Sequence, residues 1–154
     1  SVTGVGFSLG LLRRLKDAFP RQFAGIKDSS HDADFARSLG EHFGADLLVL
    51  NGTDSYLQLA VENKAQGCIT AAANLISPDL RSIWDAMQAG NDPAEIQARV
   101  TAQRHVLEEY QPFAPTLKAL MHRLHGLPRW SVRLPLQPLS AETEEQAVQE
   151  FGAI

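Results

Sequence analysis

Cysteine is almost missing from this sequence: Cys68 is its one thiol. A single cysteine excludes an internal disulfide and a cysteine-based zinc cluster, and it suits a reducing compartment, so a cytoplasmic protein is expected. Long apolar runs are also missing, and none approaches the roughly 18–20 residues that a membrane span requires. There is no Lys/Arg-rich block. The formal charge is −4 with acids and bases interspersed, so neither nucleic acid nor an anionic membrane is an expected partner. Gly4-Val5-Gly6 follows no strand-like segment and is not a phosphate loop. The opening Ser1-Val2-Thr3-Gly4-Val5-Gly6 lacks the basic-then-apolar order of a signal peptide, and lacks a starting Met. No His/Cys/Asp/Glu group has metal-ligand spacing. His122 and His125 fall on one helical stretch and read as a polar face rather than a metal pair.

What is present is repetition. Phe23-Ala24-Gly25-Ile26-Lys27, Asp46-Leu47-Leu48-Val49-Leu50 and Gly67-Cys68-Ile69-Thr70-Ala71 are short, mostly apolar and without polar alternation. Such segments read as strands buried on both faces. Each is followed by a small, polar loop and then by apolar residues at helical spacing. Ser8 is placed to cap a helix carrying Leu11, Leu12, Leu15 and Phe19. Phe35, Ala36, Leu39 and Phe43 form a stripe that Gly44 ends. Leu57, Ala60 and Val61 mark a third helix. Ser77-Pro78 and Asp92-Pro93 each place a capping side chain before a first-turn proline. Further helices carry Leu117, Leu120, Met121 and Leu124, and, after Ser140, Ala147, Val148 and Phe151.

The order is a helix, three strand–helix units and a helical tail. Alternation of this kind implies an α/β fold with parallel strands and right-handed crossovers. Three apolar strands alone leave unpaired edges, so the expectation is that further strands lie upstream.

Lys27 ends the first of these strands, on the side where parallel α/β proteins place their chemistry. A lysine poorly solvated there favours the neutral amine, which attacks a ketone to form an imine. The alternative is a solvated charge or a pair with Asp28, with Asp28, Ser29, Ser30 and Asp32 acting as loop and cap residues.

Gly25-Ile26-Lys27-Asp28-Ser29-Ser30 resembles the lysine strand of the dihydrodipicolinate synthase and N-acetylneuraminate lyase family. Three more segments follow in the family's order. Asn51-Gly52-Thr53-Asp54 resembles its Gly-x-Asp loop after the seventh strand. Gly67-Cys68-Ile69-Thr70-Ala71-Ala72-Ala73-Asn74 resembles its eighth strand, and Arg133-Leu134-Pro135-Leu136-Gln137-Pro138-Leu139 its Arg-x-Pro-Leu segment before the final helix. The resemblance implies the C-terminal half of a (β/α)8 TIM barrel, strands 6–8, followed by a helical C-terminal extension. Residues 1–90 would hold the last three βα units with the preceding helix, and 91–154 the extension.

The resemblance further implies a metal-independent class I lyase or aldolase, without a cofactor, that makes or breaks a carbon–carbon bond next to pyruvate or a related 2-oxo acid. An aldehyde would be the co-substrate and the assembly a homotetramer. Lys27 would form the Schiff base, with Ile69, Thr70, Gly52 and Asp54 binding substrate. From the residues alone, Gly52 reads as a close-approach or positive-φ position, or as an ordinary turn glycine. Asp54 reads as a ligand for hydroxyls or as a helix cap, and Asn74 as a loop tie.

The family's proton-shuttling tyrosine and its Thr-Thr carboxylate clamp find no counterpart here, Tyr56 and Tyr110 lying in helical patterns. This piece alone is therefore expected to be nearly inactive, general acid–base help being worth about 10²–10⁴-fold. Ser55 and Ala71 stand where N-acetylneuraminate lyases carry Glu and Ser, which argues against sialic acid. Asp28-Ser29-Ser30 departs from the Glu-Ala common in dihydrodipicolinate synthases, and His31 replaces a frequent glycine, reading as a solvated loop histidine or as a residue at the active-site mouth. The pattern is nearest to 2-keto-3-deoxy sugar-acid aldolases. Dihydrodipicolinate synthase proper and a non-catalytic or regulatory paralogue are the alternatives.

Overall fold

Ser8 lies in extended backbone and accepts the amide of Leu11 at 3.2 Å, starting α1 (Leu9–Ala18) in the computed structural model, which describes residues 6–154. The readings made on residues 1–5 fall outside the described residues. The chain continues through β1 (Gly25–Asp28), α2 (Ala33–Phe43), β2 (Leu48–Asn51), a 3₁₀ turn (Asp54–Tyr56) and α3 (Leu57–Glu62). Four longer helices complete it: α4 (Ala73–Gln88), α5 (Ala94–Glu109), α6 (Phe113–His125) and α7 (Ala141–Gly152). Asp32 caps α2 through the amides of Asp34 and Phe35, and Ser140 caps α7 through that of Thr143. Both use a short side-chain oxygen to satisfy first-turn N–H groups that have no partner inside the helix.

The two strands are parallel, with Lys27 level with Leu50 and Asp28 with Asn51. The third expected strand is cut down to one parallel bridge between Asn51 and Cys68. Its backbone still follows β2, since the Asn51 amide donates to Gly67 and the Ile69 amide to Asn51. Thr70 stops it: its hydroxyl accepts the Ala72 amide and its carbonyl the Ala73 amide, so the chain is already turning toward α4.

Nor are the strands covered on both faces. Val49 is buried against Leu12, Leu39 and Phe43, whereas Leu48 and Ile69 are 49% and 51% exposed. Helices cover one side, and the other, on which Lys27 lies, is open among the described residues. The Ser77-Pro78 start also moves. The helix begins at Ala73 and turns at Ile76 (φ −117°, ψ 18°), because Pro78 has no N–H to give the carbonyl four residues back.

Two apolar clusters result. The smaller joins α1, α2 and β2 through Leu12, Leu39, Phe43 and Val49. The larger runs from Leu57 and Ile83 into Val100, Leu107, Leu120 and Phe151, so the tail helices share a core with α3 and α4. No described helix is long and apolar enough to cross a membrane.

Gly40 fixes how closely α2 meets the end of α3. A Cβ there would lie 1.7 Å from the Asn63 carbonyl oxygen and 2.7 Å from its carbon. Backbone must move to admit it, so Gly40→Ala should lose about 3 kcal/mol, the upper range for overpacking. Alanine's helix-propensity gain of about 1 kcal/mol is too small to offset this. Urea unfolding of the intact protein checks it: a variant as stable as the parent would mean that the helix pair is loosely packed.

Candidate active site

Parallel pairing places Lys27 one residue before the end of β1, and strand alternation puts its side chain on the open face with Leu48. Asp28, next along, points to the covered side. It is 9% exposed, and its carboxylate accepts the Ser30 amide at 3.0 Å and the Ser30 hydroxyl at 2.9 Å. Asp28 is thus engaged by the loop that follows β1, which reaches the positive-φ residue His31 (φ 60°). The exposure of Lys27 departs from the poorly solvated position expected of it, because no described element packs over that face.

Gly52 comes directly beside Lys27. Its amide donates to the Asp28 carbonyl at 2.6 Å, and a Cβ on it would lie 2.2 Å from Ser29 Oγ, 2.6 Å from Asp28 O and 3.1 Å from Lys27 Cε. Of the readings open for this glycine, close approach is the one the geometry requires. Asn51 tightens the same turn, accepting the Thr53 amide and donating to the Thr53 carbonyl, both at 3.0 Å. Thr53 Oγ1 lies 3.5 Å from His31 Nδ1, at the outer limit of a hydrogen bond.

Asp54 is fully buried. One carboxylate oxygen accepts the Thr70 hydroxyl at 3.3 Å, and the other pairs with Arg104 Nη1 at 3.2 Å. Burial pushes its carboxyl above the usual carboxylate range, and the Arg104 guanidinium pulls in the opposite direction. Thr70 is buried with it, while Ile69 turns outward on the open side. Lys27 and Gly52 are therefore brought together, Asp54 and Thr70 form a neighbouring buried pair, and Ile69 lies exposed beyond Asn51. Asn74 donates to Ala71 O at 2.9 Å, a tie within the turn that starts α4. The Arg133-Leu134-Pro135-Leu136 segment lies between α6 and α7, with Leu134 82% exposed.

Sequence reasoning passed over Gln97 and Arg104, both from α5. Gln97 Nε2 donates to the Asp54 carbonyl at 3.1 Å, and its Oε1 accepts the Gln58 amide at 2.9 Å. A signal was available. Gln97, Val100, Arg104 and Leu107 recur at helical spacing, so two polar residues interrupt an inward apolar stripe.

Among the described residues no group of three or more His, Cys, Asp or Glu side chains could hold a metal ion. His122 Nδ1 instead meets the Leu127 carbonyl at 2.7 Å. Burial first, and the Asp54 carboxylate second, push the Cys68 thiol up to about 11, so it is uncharged at neutral pH.

Residues 1–153 match the model of the dihydrodipicolinate synthetase family. The chain is 34% identical over 141 residues to an uncharacterized DapA-like lyase of Chloroflexus aurantiacus, covering 92% of this chain and 46% of that protein. It is 27% identical over 146 residues to 4-hydroxy-tetrahydrodipicolinate synthase 1 of Halalkalibacterium halodurans, covering 92% and 48%. Among solved structures, dihydrodipicolinate synthase from Agrobacterium tumefaciens superposes with a TM-score of 0.84 at 33% identity, covering 99% of this chain and 50% of that one. N-acetylneuraminate lyase from Aliivibrio salmonicida superposes with a TM-score of 0.81 at 26% identity, covering 99% and 51%. The chain thus spans about half the length of the proteins it matches. With an α/β architecture that follows one half of these structures, and a family match over nearly its full length, it belongs to the dihydrodipicolinate synthetase family.

Proposed function

We propose that this chain carries the nucleophile of a Schiff-base lyase or aldolase acting on pyruvate or a related 2-oxo acid. The observation that carries the reading is Lys27 itself, on the open face of a parallel sheet, with Gly52 so close that a Cβ there would lie 3.1 Å from Lys27 Cε. β1, β2 and the Cys68 edge are the sixth, seventh and eighth strands of a (β/α)8 barrel. Residues 1–90 carry these units and 91–154 the helical extension. The remaining strands cover the open face in the working protein, which supplies the desolvation that this chain alone does not give Lys27. The half-length match to each relative supports this.

The Lys27 amine adds to the ketone carbon of the 2-oxo acid, and loss of water leaves a protonated imine. Loss of a C3 proton, or cleavage of the C3–C4 bond with loss of the C4 hydroxyl proton and release of C4 as an aldehyde, leaves the bond's electron pair in a C2=C3 enamine while the iminium π pair passes to nitrogen. The enamine then takes up a proton or attacks an aldehyde carbon, and hydrolysis frees Lys27. Gly52 leaves room for the lysine, Ile69 and Thr70 border the bound 2-oxo acid, and Asp54 holds the turn that faces the rest of the substrate. A 2-keto-3-deoxy sugar acid is the first candidate substrate, from the overall motif pattern, and Ser55 and Ala71 argue against sialic acid. Dihydrodipicolinate synthesis is the second reading, favoured by the name of the Halalkalibacterium relative. The assembly is a homotetramer, and the protein works in the cytoplasm.

Enamine formation has a direct readout. The intact protein should exchange the methyl protons of pyruvate for deuterium in heavy water, followed by NMR, and EDTA should leave the rate unchanged. Exchange that disappears with EDTA would point to a metal-bound enolate instead.

A further inference from the structure

We infer that Gln97 and Arg104 of α5 are positioning residues for the reaction at Lys27. The inference rests on the proposed role of Lys27. The two side chains lie on the face of α5 that also buries Val100 and Leu107, yet both are polar. Leaving water costs them solvation that must be made up by hydrogen bonds. Each makes those bonds to the turn beside Lys27.

Gln97 uses both ends of its amide. It donates to the Asp54 carbonyl and accepts the Gln58 amide, so it spans the 3₁₀ turn and holds both ends of it. Arg104 reaches the Asp54 carboxylate with Nη1, donates from Nε to Glu108 Oε1 at 2.7 Å, and lies 4.9 Å over the Phe113 ring. Those contacts leave the guanidinium little freedom to follow a moving loop. The link then runs from α5 to Asp54, along the backbone to Gly52 two residues before it, and from there toward Lys27, whose Cε would lie 3.1 Å from a Cβ built on Gly52. A helix of the C-terminal tail sets where the wall behind the nucleophile stands. The turn stands close enough to Lys27 that even a methyl on Gly52 would crowd its Cε, so its displacement alters how the amine approaches the ketone more than how pyruvate binds. Misplacement by about 1 Å can cost on the order of 10²-fold in rate.

The test is rapid-quench trapping of the pyruvate imine by borohydride in the intact protein, at several pyruvate concentrations and normalised to folded molecules. Arg104→Met and Gln97→Leu should each lower the limiting trapping rate tenfold or more, with half-saturating pyruvate moving less than threefold. Arg104→Lys keeps a cation for Asp54 and should recover most of the loss. Limiting rates within twofold of the parent, even in variants that melt earlier, would make the contacts structural and overturn the inference. If Arg104→Met does not fold, Gln97→Leu and Arg104→Lys decide by the same criterion. A parent protein that traps no pyruvate would refute the Lys27 reading, and this one with it. A parent that traps normally beside unaffected variants would refute only the assignment to α5.

Discussion

Lys27→Ala should abolish trapping of pyruvate by borohydride and lower turnover of the intact protein by at least about 10³-fold, the scale on which removal of a covalent nucleophile acts. The fold should survive. Lys27 is exposed in this chain, and in the working protein, where further strands cover it, alanine relieves the desolvation of its amine, so the change in stability should stay near the ~1 kcal/mol typical of a point substitution. The other three lysines serve as controls. Lys16 pairs with Asp46, Lys118 donates to the Ser131 carbonyl at 2.6 Å, and Lys64 holds a positive-φ turn after α3. Lys64→Ala should therefore retain trapping in full. Equal loss in both variants would mean that trapping reports general damage rather than one nucleophile.

Gly52→Ala has the second largest expected effect. The backbone at Gly52 is not in the left-handed region, so the obstacle is space rather than strain. Of the three atoms a new methyl would meet, Ser29 Oγ can rotate away, but the Asp28 carbonyl oxygen at 2.6 Å is backbone and also accepts the Gly52 amide. Either that hydrogen bond opens or the turn retreats from Lys27. The expected result is a loss of about 10²-fold in kcat and of about 1–3 kcal/mol in stability. Ser29→Ala in the same chain should recover little, because it leaves the carbonyl clash in place. Steady-state kinetics and thermal melting of the single and double variants measure both. Full recovery by Ser29→Ala would place the conflict at the hydroxyl and leave the close backbone approach without a role.

Local rules carried far. Ser8 and Ser140 announce their helices because a cap needs only a short oxygen and three following residues. The Lys27 strand and the Gly52 turn were legible for the same reason, each being one contiguous segment. What failed depended on neighbours. The segment around Cys68 is as apolar as β2, yet it pairs at a single residue, because Thr70 already begins a turn. Burial on both faces was inferred from unbroken apolar runs, but this chain provides helices for one face only, leaving Leu48 and Ile69 uncovered. Pro78 suggested a helix start, whereas a preceding turn joins it into a bent α4.

At the site, the unread part was long-range. Arg104 lies 50 positions from Asp54 and Gln97 lies 43. No local pattern pairs residues so far apart. The sequence left Asp54 open between a ligand and a cap, and neither reading foresaw an arginine and a threonine occupying its carboxylate. Only the polar breaks in the α5 stripe hinted that this helix faces something other than a purely apolar core.

The most direct measurement locates the adduct. The intact protein would be treated with pyruvate and borohydride, digested, and its peptides sequenced by mass spectrometry. The prediction is one reduced pyruvyl adduct on Lys27, with Lys16, Lys64 and Lys118 unmodified. An adduct on another lysine, or none at saturating pyruvate, would contradict the assignment of Lys27 as the nucleophile.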